Sequence, residues 1–286
     1  MITSAYDLVK DTESVASLPN IFLRLDKLIN DASCDLSDIA EVISEDTGLS
    51  ARLLKIANSA MFNFPAEIDS ITRAVAMVGT RQLRDLVLAT QIIAMFDQID
   101  DSVVNMRSFW KHSIATGILA RLLASYRREQ NIEYFYLLGL LHDIGRLVMF
   151  IEQPEMALKA IAYRIEHNVS LNEAELCVFG FDHSAVGAEL MCQWGLPRPM
   201  YDAVCYHHKP SLSLNNSVDA AVIHVADIMV NALNIGCSGE SDIPPMDESA
   251  WDRLELSPYV LADAVGYLDQ QFNEVVNLFI DDASCQ

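Results

Sequence analysis

Leu49-Ser50-Ala51-Arg52-Leu53-Leu54-Lys55-Ile56-Ala57-Asn58-Ser59-Ala60 is the stretch on which the fold turns. Its apolar residues Leu49, Leu53, Ile56, Ala57 and Ala60 return at the spacing that stacks side chains along one face of an α-helix. Leu83, Leu86, Val87, Thr90 and Ile93 mark a second such face, while alternating runs bounded by turn residues are scarce. Breaks fall at Pro19, Asn63-Phe64-Pro65, Val78-Gly79-Thr80, Gly195 to Pro199, Lys209-Pro210 and Gly236 to Pro245, cutting the chain into helices of ordinary length. The pattern predicts an all-α, multi-helix bundle with no fixed-period repeat.

With 286 residues, 51% of them apolar and 21% charged, the chain can bury a large core. The acidic, polar stretch Asp97 to Asn105 is the best internal boundary, leaving a helical N-terminal subdomain over about residues 1–100 and a helical domain over about 101–286. From Pro258 the chain reads as a final helix through Phe279. Acidic residues number 40 against 19 basic ones, a net charge of −21 that repels nucleic acid in the absence of a basic patch. Met1 to Lys10 has no positive segment followed by an apolar one, as a signal peptide requires. The apolar segment Ala220 to Leu233 is well short of the roughly 20 residues of a membrane span and holds His224 and Asp227, so it reads as a buried helix. A cytoplasmic protein with neither membrane nor nucleic acid as partner is expected. The 6 cysteines show no CxxC spacing and read as small apolar residues in a reducing compartment. Neither GxxxxGK[ST] nor GxGxxG occurs, which argues against P-loop nucleotide hydrolysis.

Chemistry concentrates in the order His112, His142-Asp143, His183, His207-His208 and Asp227. Imidazole nitrogen with carboxylate oxygen suits a borderline transition metal such as iron, manganese, nickel or zinc, and a carboxylate in a doublet can bridge two ions. Gly139 to Met149 reads as one helix, which puts His142, Asp143 and Arg146 within about a turn. A divalent pair held there would acidify water and screen phosphate oxygens, with Asp143 in the catalytic centre and Arg146 forking onto phosphate. His183 follows Asp182, a helix N-cap, and His207-His208 close a helix stopped by Lys209-Pro210. Asp227 lies in the apolar run Ile223 to Met229, where a buried carboxylate needs a partner or an ion. Taken singly, several of these have plainer readings. His112 beside Trp110 and His183 at a helix start can be ordinary hydrogen-bonded residues, the His207-His208 pair can answer a helix dipole, and Asp227 can pair with His224. Taken jointly, their order favours a metal-capable site. His167 fits neither set and reads as solvent-facing.

These motifs carry a resemblance. Leu18-Pro19, Ile39-Ala40 with Ile43-Ser44-Glu45-Asp46, Leu49 to Ala60, and Ile71 to Ala76 with Val78-Gly79 are similar to the HDOD family. Further along, the match continues in Trp110-Lys111-His112-Ser113, Leu138 to Arg146, Asp182-His183 with Gly187 to Leu190, and Trp194-Gly195-Leu196-Pro197. Ala203-Val204 to Pro210 and Ile223 to Asp227 complete it, over about Leu18 to Val230. The resemblance implies an all-helical HD-superfamily domain behind a helical N-terminal part, in a bacterial signalling or regulatory protein related to the HD-GYP cyclic di-GMP phosphodiesterases. Carried over by position, His112, His142, Asp143 and Asp227 match one metal's ligands, and His183, His207 and His208, with Asp143 bridging, match a second set. Lys209-Pro210-Ser211-Leu212-Ser213-Leu214 lacks the Gly-Tyr-Pro signature of that branch, which argues against cyclic di-GMP recognition. Arg146 stands where that branch has lysine, and Ser108 where trinuclear relatives have a glutamate, which argues against a third ion. The expected function is signal transduction through a protein partner with one or two divalent ions retained. The alternative is a metal-dependent phosphohydrolase acting on a nucleotide or cyclic dinucleotide.

Overall fold

In the computed structural model, residues 4–10, 12, 17–31, 33–96, 104–213, 218–240 and 242–280 are described, and no strand occurs among them. They form two compact units, one of Met1–Ser17 with Phe96–Ala264, the other of Leu18–Met95 with Val265–Gln286. Residues 97–103 of the expected boundary lie outside the described residues. Helix α1 (Ala5–Val9) belongs to the first unit; α2 (Asn20–Ile29), α3 (Leu36–Ser44), α4 (Thr47–Ala57), α5 (Ile71–Val78) and α6 (Thr80–Met95) build the second.

Side-chain caps explain where these helices begin. Asp35 and Asp38 form a capping box at α3, and the Asp46 and Ser70 side chains accept backbone N–H groups at the starts of α4 and α5, satisfying donors that have no intrahelical partner. On α4, Leu49, Leu53, Ile56 and Ala57 are buried as the spacing predicts, but Ala60 lies past the helix end and is exposed. Asn58 is the reason. Its Nδ2 donates to the carbonyls of Leu54 and Ile68 at 2.9 and 2.8 Å, and its Oδ1 accepts the Ile68 N–H at 2.7 Å. That side chain ends the helix and closes the following loop in one step.

The first unit continues through α7 (Met106–Tyr126), α8 (Ile132–Leu141), α9 (Ile144–Glu152), α10 (Pro154–His167), α11 (Leu171–Phe179), α12 (His183–Gln193), α13 (Arg198–Cys205), α14 (Val218–Ala232) and α15 (Glu248–Leu254). Helix α16 (Val260–Phe279) begins in this unit and ends in the other. Helices α7 and α8 lie backbone to backbone because Gly117 faces Gly139: a Cβ added to Gly139 would sit 2.7 Å from the Gly117 Cα. Residues 132–152 are long and apolar enough to cross a membrane, yet 89% of their most apolar 18-residue window is buried inside the fold, as expected of core helices. Helix α14 is buried from Ala220 to Asp227, as its sequence predicts. Cys34, Cys177, Cys192, Cys205 and Cys237 are free thiols.

Candidate metal centre

All seven candidate ligands lie in the first unit, delivered from helix faces, a helix break, a helix start and a turn. His112 projects from the middle of α7 and Asp227 from α14. His142 and Asp143 do not continue one helix as expected: α8 stops at Leu141, α9 starts at Ile144, and Asp143 takes φ −98° and ψ 8°, outside the regular helix. The break frees the doublet from helical register. Gly145 then lets α9 press against the start of α12, since a Cβ there would overlap the His183 carbonyl and the Gly187 amide. His183 opens α12 behind its N-cap Asp182, whose Oδ1 accepts the Ala185 N–H at 2.9 Å. Helix α13 ends at Cys205, so His207 and His208 sit in the turn beyond it rather than on its last residues.

Two groups of ligand atoms meet at Asp143. On one side, His112 Nε2 is 3.0 Å from Asp227 Oδ1 and 3.8 Å from Asp143 Oδ2, while His142 Nε2 is 3.3 Å from Asp143 Oδ2 and 3.6 Å from Asp227 Oδ1. On the other, Asp143 Oδ1 is 3.0 Å from His183 Nε2 and 3.9 Å from His207 Nε2, and His208 Nε2 is 2.9 Å from His183 Nε2. Ions about 2.0–2.2 Å from each donor would set neighbouring donors roughly 3–3.5 Å apart. The observed separations bracket that spacing.

Hydrogen bonding fits the same reading. His112 Nε2, His142 Nε2, His207 Nε2 and Asp143 Oδ1 are buried and make no aligned hydrogen bond, an outcome native proteins rarely tolerate without water or an ion. The opposite ring nitrogens are fixed: His142 Nδ1 donates to the Gly139 carbonyl and His207 Nδ1 to the Val204 carbonyl, both at 2.7 Å, and His183 Nδ1 donates to Glu175 Oε2 at 2.5 Å. Such bonds set the tautomer and point the Nε2 lone pair inward.

Charge is arranged to suit cations. Burial opposes ionisation of Asp143, but Arg146, His142 and His183 outweigh it and hold the carboxyl well below its usual range. Asp227 is likewise held down against burial by His112 and His142. Burial, then the charges on His142 and His183, push His207 down to about 3; burial, with His207 and His183, also pushes His208 well down. Those two rings are therefore neutral, the state in which imidazole binds a metal. His142 is held up to about 10 against burial by Asp143 and Asp227. His183 is held up to about 9 against burial and Arg146 by Glu175 and Asp143. An ion bound at these two rings would take the place of the Nε2 proton that the neighbouring carboxylates favour.

The HDOD domain signature matches residues 15–210. This chain belongs to the HDOD family. The match covers every candidate ligand except Asp227. An uncharacterised protein of Treponema pallidum (strain Nichols) is 30% identical over 197 residues, 68% of this chain and 38% of that protein, so the chain spans well under half of that relative. The crystal structure of an HDOD domain protein of unknown function from Geobacter sulfurreducens aligns with a TM-score of 0.77 at 23% identity, over 92% of this chain and 93% of that one. A crystal structure from Shewanella amazonensis SB2B, whose protein carries a provisional name of phosphohydrolase, aligns with a TM-score of 0.75 at 22% identity, over 98% and 100%. Both likenesses show the fold.

In this HDOD chain Arg146 does not occupy the phosphate-clamping position expected of it. The guanidinium is 2% exposed and surrounded: it donates to Asp143 Oδ2 at 3.1 Å, Glu175 Oε1 at 3.3 Å, Ser238 Oγ at 2.6 Å and Glu240 Oε2 at 3.5 Å. Its donors are spent on carboxylates of the fold, so it braces Asp143 from behind. Glu175 and Glu240 escaped the sequence reading. A single acid on a short helix or in a loop normally reads as solvated, and only the apolar Leu171, one turn before it, and Ala174 hinted that Glu175 faces inward. Asp227 does not bond to His224. It accepts from Asn231 Nδ2 at 2.8 Å, while His224 Nδ1 donates to the His207 carbonyl and His224 Nε2 accepts the Asp247 N–H, each at 2.8 Å. His167 is exposed and stacks on Tyr163. His208, half-buried, lines a cleft of about 240 Å³ together with Asn172, Asp182, Ser184, Tyr206 and Lys209.

Proposed function

We propose that this HDOD protein is a regulatory module of a signalling chain, acting through a protein partner, and that its first unit binds one or two divalent transition-metal ions. The observation that carries the metal reading is the set of buried, unbonded His112 Nε2, His142 Nε2, His207 Nε2 and Asp143 Oδ1. His112, His142 and Asp227 would hold one ion and His183, His207 and His208 another, with Asp143 shared. Imidazole with carboxylate suits iron, manganese, nickel or zinc.

A second reading, metal-dependent hydrolysis of a phosphate-containing small molecule, is favoured by the cleft that reaches His208. The ions would supply acidified water and neutralise phosphate oxygens there. The chain's own part is to hold Asp143 ionised against Arg146, to keep His207 and His208 neutral, and to shield the centre beneath α7 and α14. Lys209, exposed at the cleft, is the cation placed to meet an anionic ligand, the task Arg146 cannot perform.

The test is metal content by plasma mass spectrometry on full-length protein purified without chelators, with Asp143→Ala beside it, followed by a panel of nucleotide and cyclic dinucleotide phosphoesters. Metal present in the wild type and lost in the variant, without turnover, supports the regulatory reading. Turnover that vanishes with the metal replaces it with the hydrolase. A wild type that takes up no iron, manganese, nickel or zinc overturns the metal centre and with it the hydrolase.

A further inference from the structure

The geometry points to Glu175 as a positioning residue for the second ion subsite, an inference that rests on the metal-centre reading. Glu175 is 3% exposed, and its carboxylate is used three ways. Oε2 accepts His183 Nδ1–H at 2.5 Å and the His183 backbone N–H at 2.9 Å, and Oε1 accepts Arg146 Nε–H at 3.3 Å. A buried carboxylate is costly unless paired, and here two of the three donors belong to a candidate ligand.

The consequence runs through both Asp143 and His183. Fixing Nδ1 leaves His183 Nε2 facing Asp143 Oδ1 at 3.0 Å and His208 Nε2 at 2.9 Å, where an ion would sit between them. Through Arg146, the same carboxylate also bears on Asp143, whose Oδ2 lies 3.1 Å from Arg146 Nη1. Glu175 thus sets the angle of one ligand ring and braces the arginine that holds the shared carboxylate. A role limited to fold stability needs only the bond to the His183 backbone, one of the unpaired donors of the first turn of α12. The bond to the ring is what separates positioning from scaffolding.

Glu175→Gln keeps the volume and one oxygen acceptor but removes the charge. Full-length wild type and variant are stripped of metal and titrated with Mn(II) and then Zn(II) against a competing chelator, while circular dichroism follows the fold. The expected result is about 10–100-fold weaker binding of one ion, a smaller loss for the ion that shares Asp143 with it, and a folded variant. Two ions bound at wild-type affinity overturn the proposal. So does loss of both ions together with the fold, which would make Glu175 scaffolding only. If the wild type binds no ion, the metal reading itself fails. The His183 Nδ1 proton, followed by NMR in metal-free protein, still judges the positioning: it should be downfield and slow to exchange, and fast in Glu175→Ala. An unchanged proton across the variants overturns the role of Glu175.

Discussion

Asp143 offers one oxygen to each ligand group, so the two candidate subsites cannot be separated at this residue. Asp143→Asn is therefore expected to lower occupancy of both ions, whereas Asp227→Asn should lower only the one beside His112 and His142; metal counts on the two variants check this. Arg146 is the counter-charge for Asp143, Glu175 and Glu240, all buried. Arg146→Leu strands those carboxylates and should cost on the order of 3–5 kcal/mol in urea unfolding of metal-free protein. Arg146→Lys should recover little of that, because one ammonium cannot reproduce a fork of donors. The candidate ligands, which the fold gathers into one buried cluster, stood out in the sequence because histidines and an aspartate inside apolar runs are conspicuous. Arg146's role was not, since its partners Glu175 and Glu240 lie 29 and 94 residues further along the chain and only the fold brings them near.

Among the elements, helical periodicity showed Leu83 to Ile93 correctly as a buried face, and Leu49, Leu53, Ile56 and Ala57 as another, but it wrongly carried that second face on to Ala60. It could not show the break at His142-Asp143, because Leu137 to Phe150 is apolar enough to read as one buried helix. Gly145→Ala would force α9 away from the start of α12, and overpacking of this kind costs about 1–3 kcal/mol. The expected signature is a lowered unfolding midpoint together with weakened binding of the ion at His183. His224 ties α14 to the turn carrying His207 and to the N-cap of α15, and burial keeps its pKa below the usual value. The unfolded state thus takes up the proton first, so this stabilisation is complete above about pH 6.5 and is lost as pH falls toward the folded value. Urea midpoints of metal-free protein should fall between pH 7 and pH 5, and fall less in His224→Gln. Equal slopes in the two proteins would remove His224 from the account.

At the scale of the molecule, the chain leaves the first unit near Ser17, returns near Phe96 and leaves again within α16. Sequence composition gave no sign of that exchange, since α16 is patterned like any amphipathic helix. Leu268, Val275, Val276 and Phe279 are buried at its far end, so Phe279→Ala should cost about 3–5 kcal/mol, read by hydrogen exchange in the helices over Leu18–Met95. Whether two ions share Asp143 is decided by anomalous diffraction at the iron, manganese, nickel and zinc edges on crystals of metal-loaded protein. Two peaks about 3.5–4 Å apart, on either side of the Asp143 carboxylate, are expected. No peak after loading, or a peak bound elsewhere while these histidines bond only to one another, would contradict the shared site.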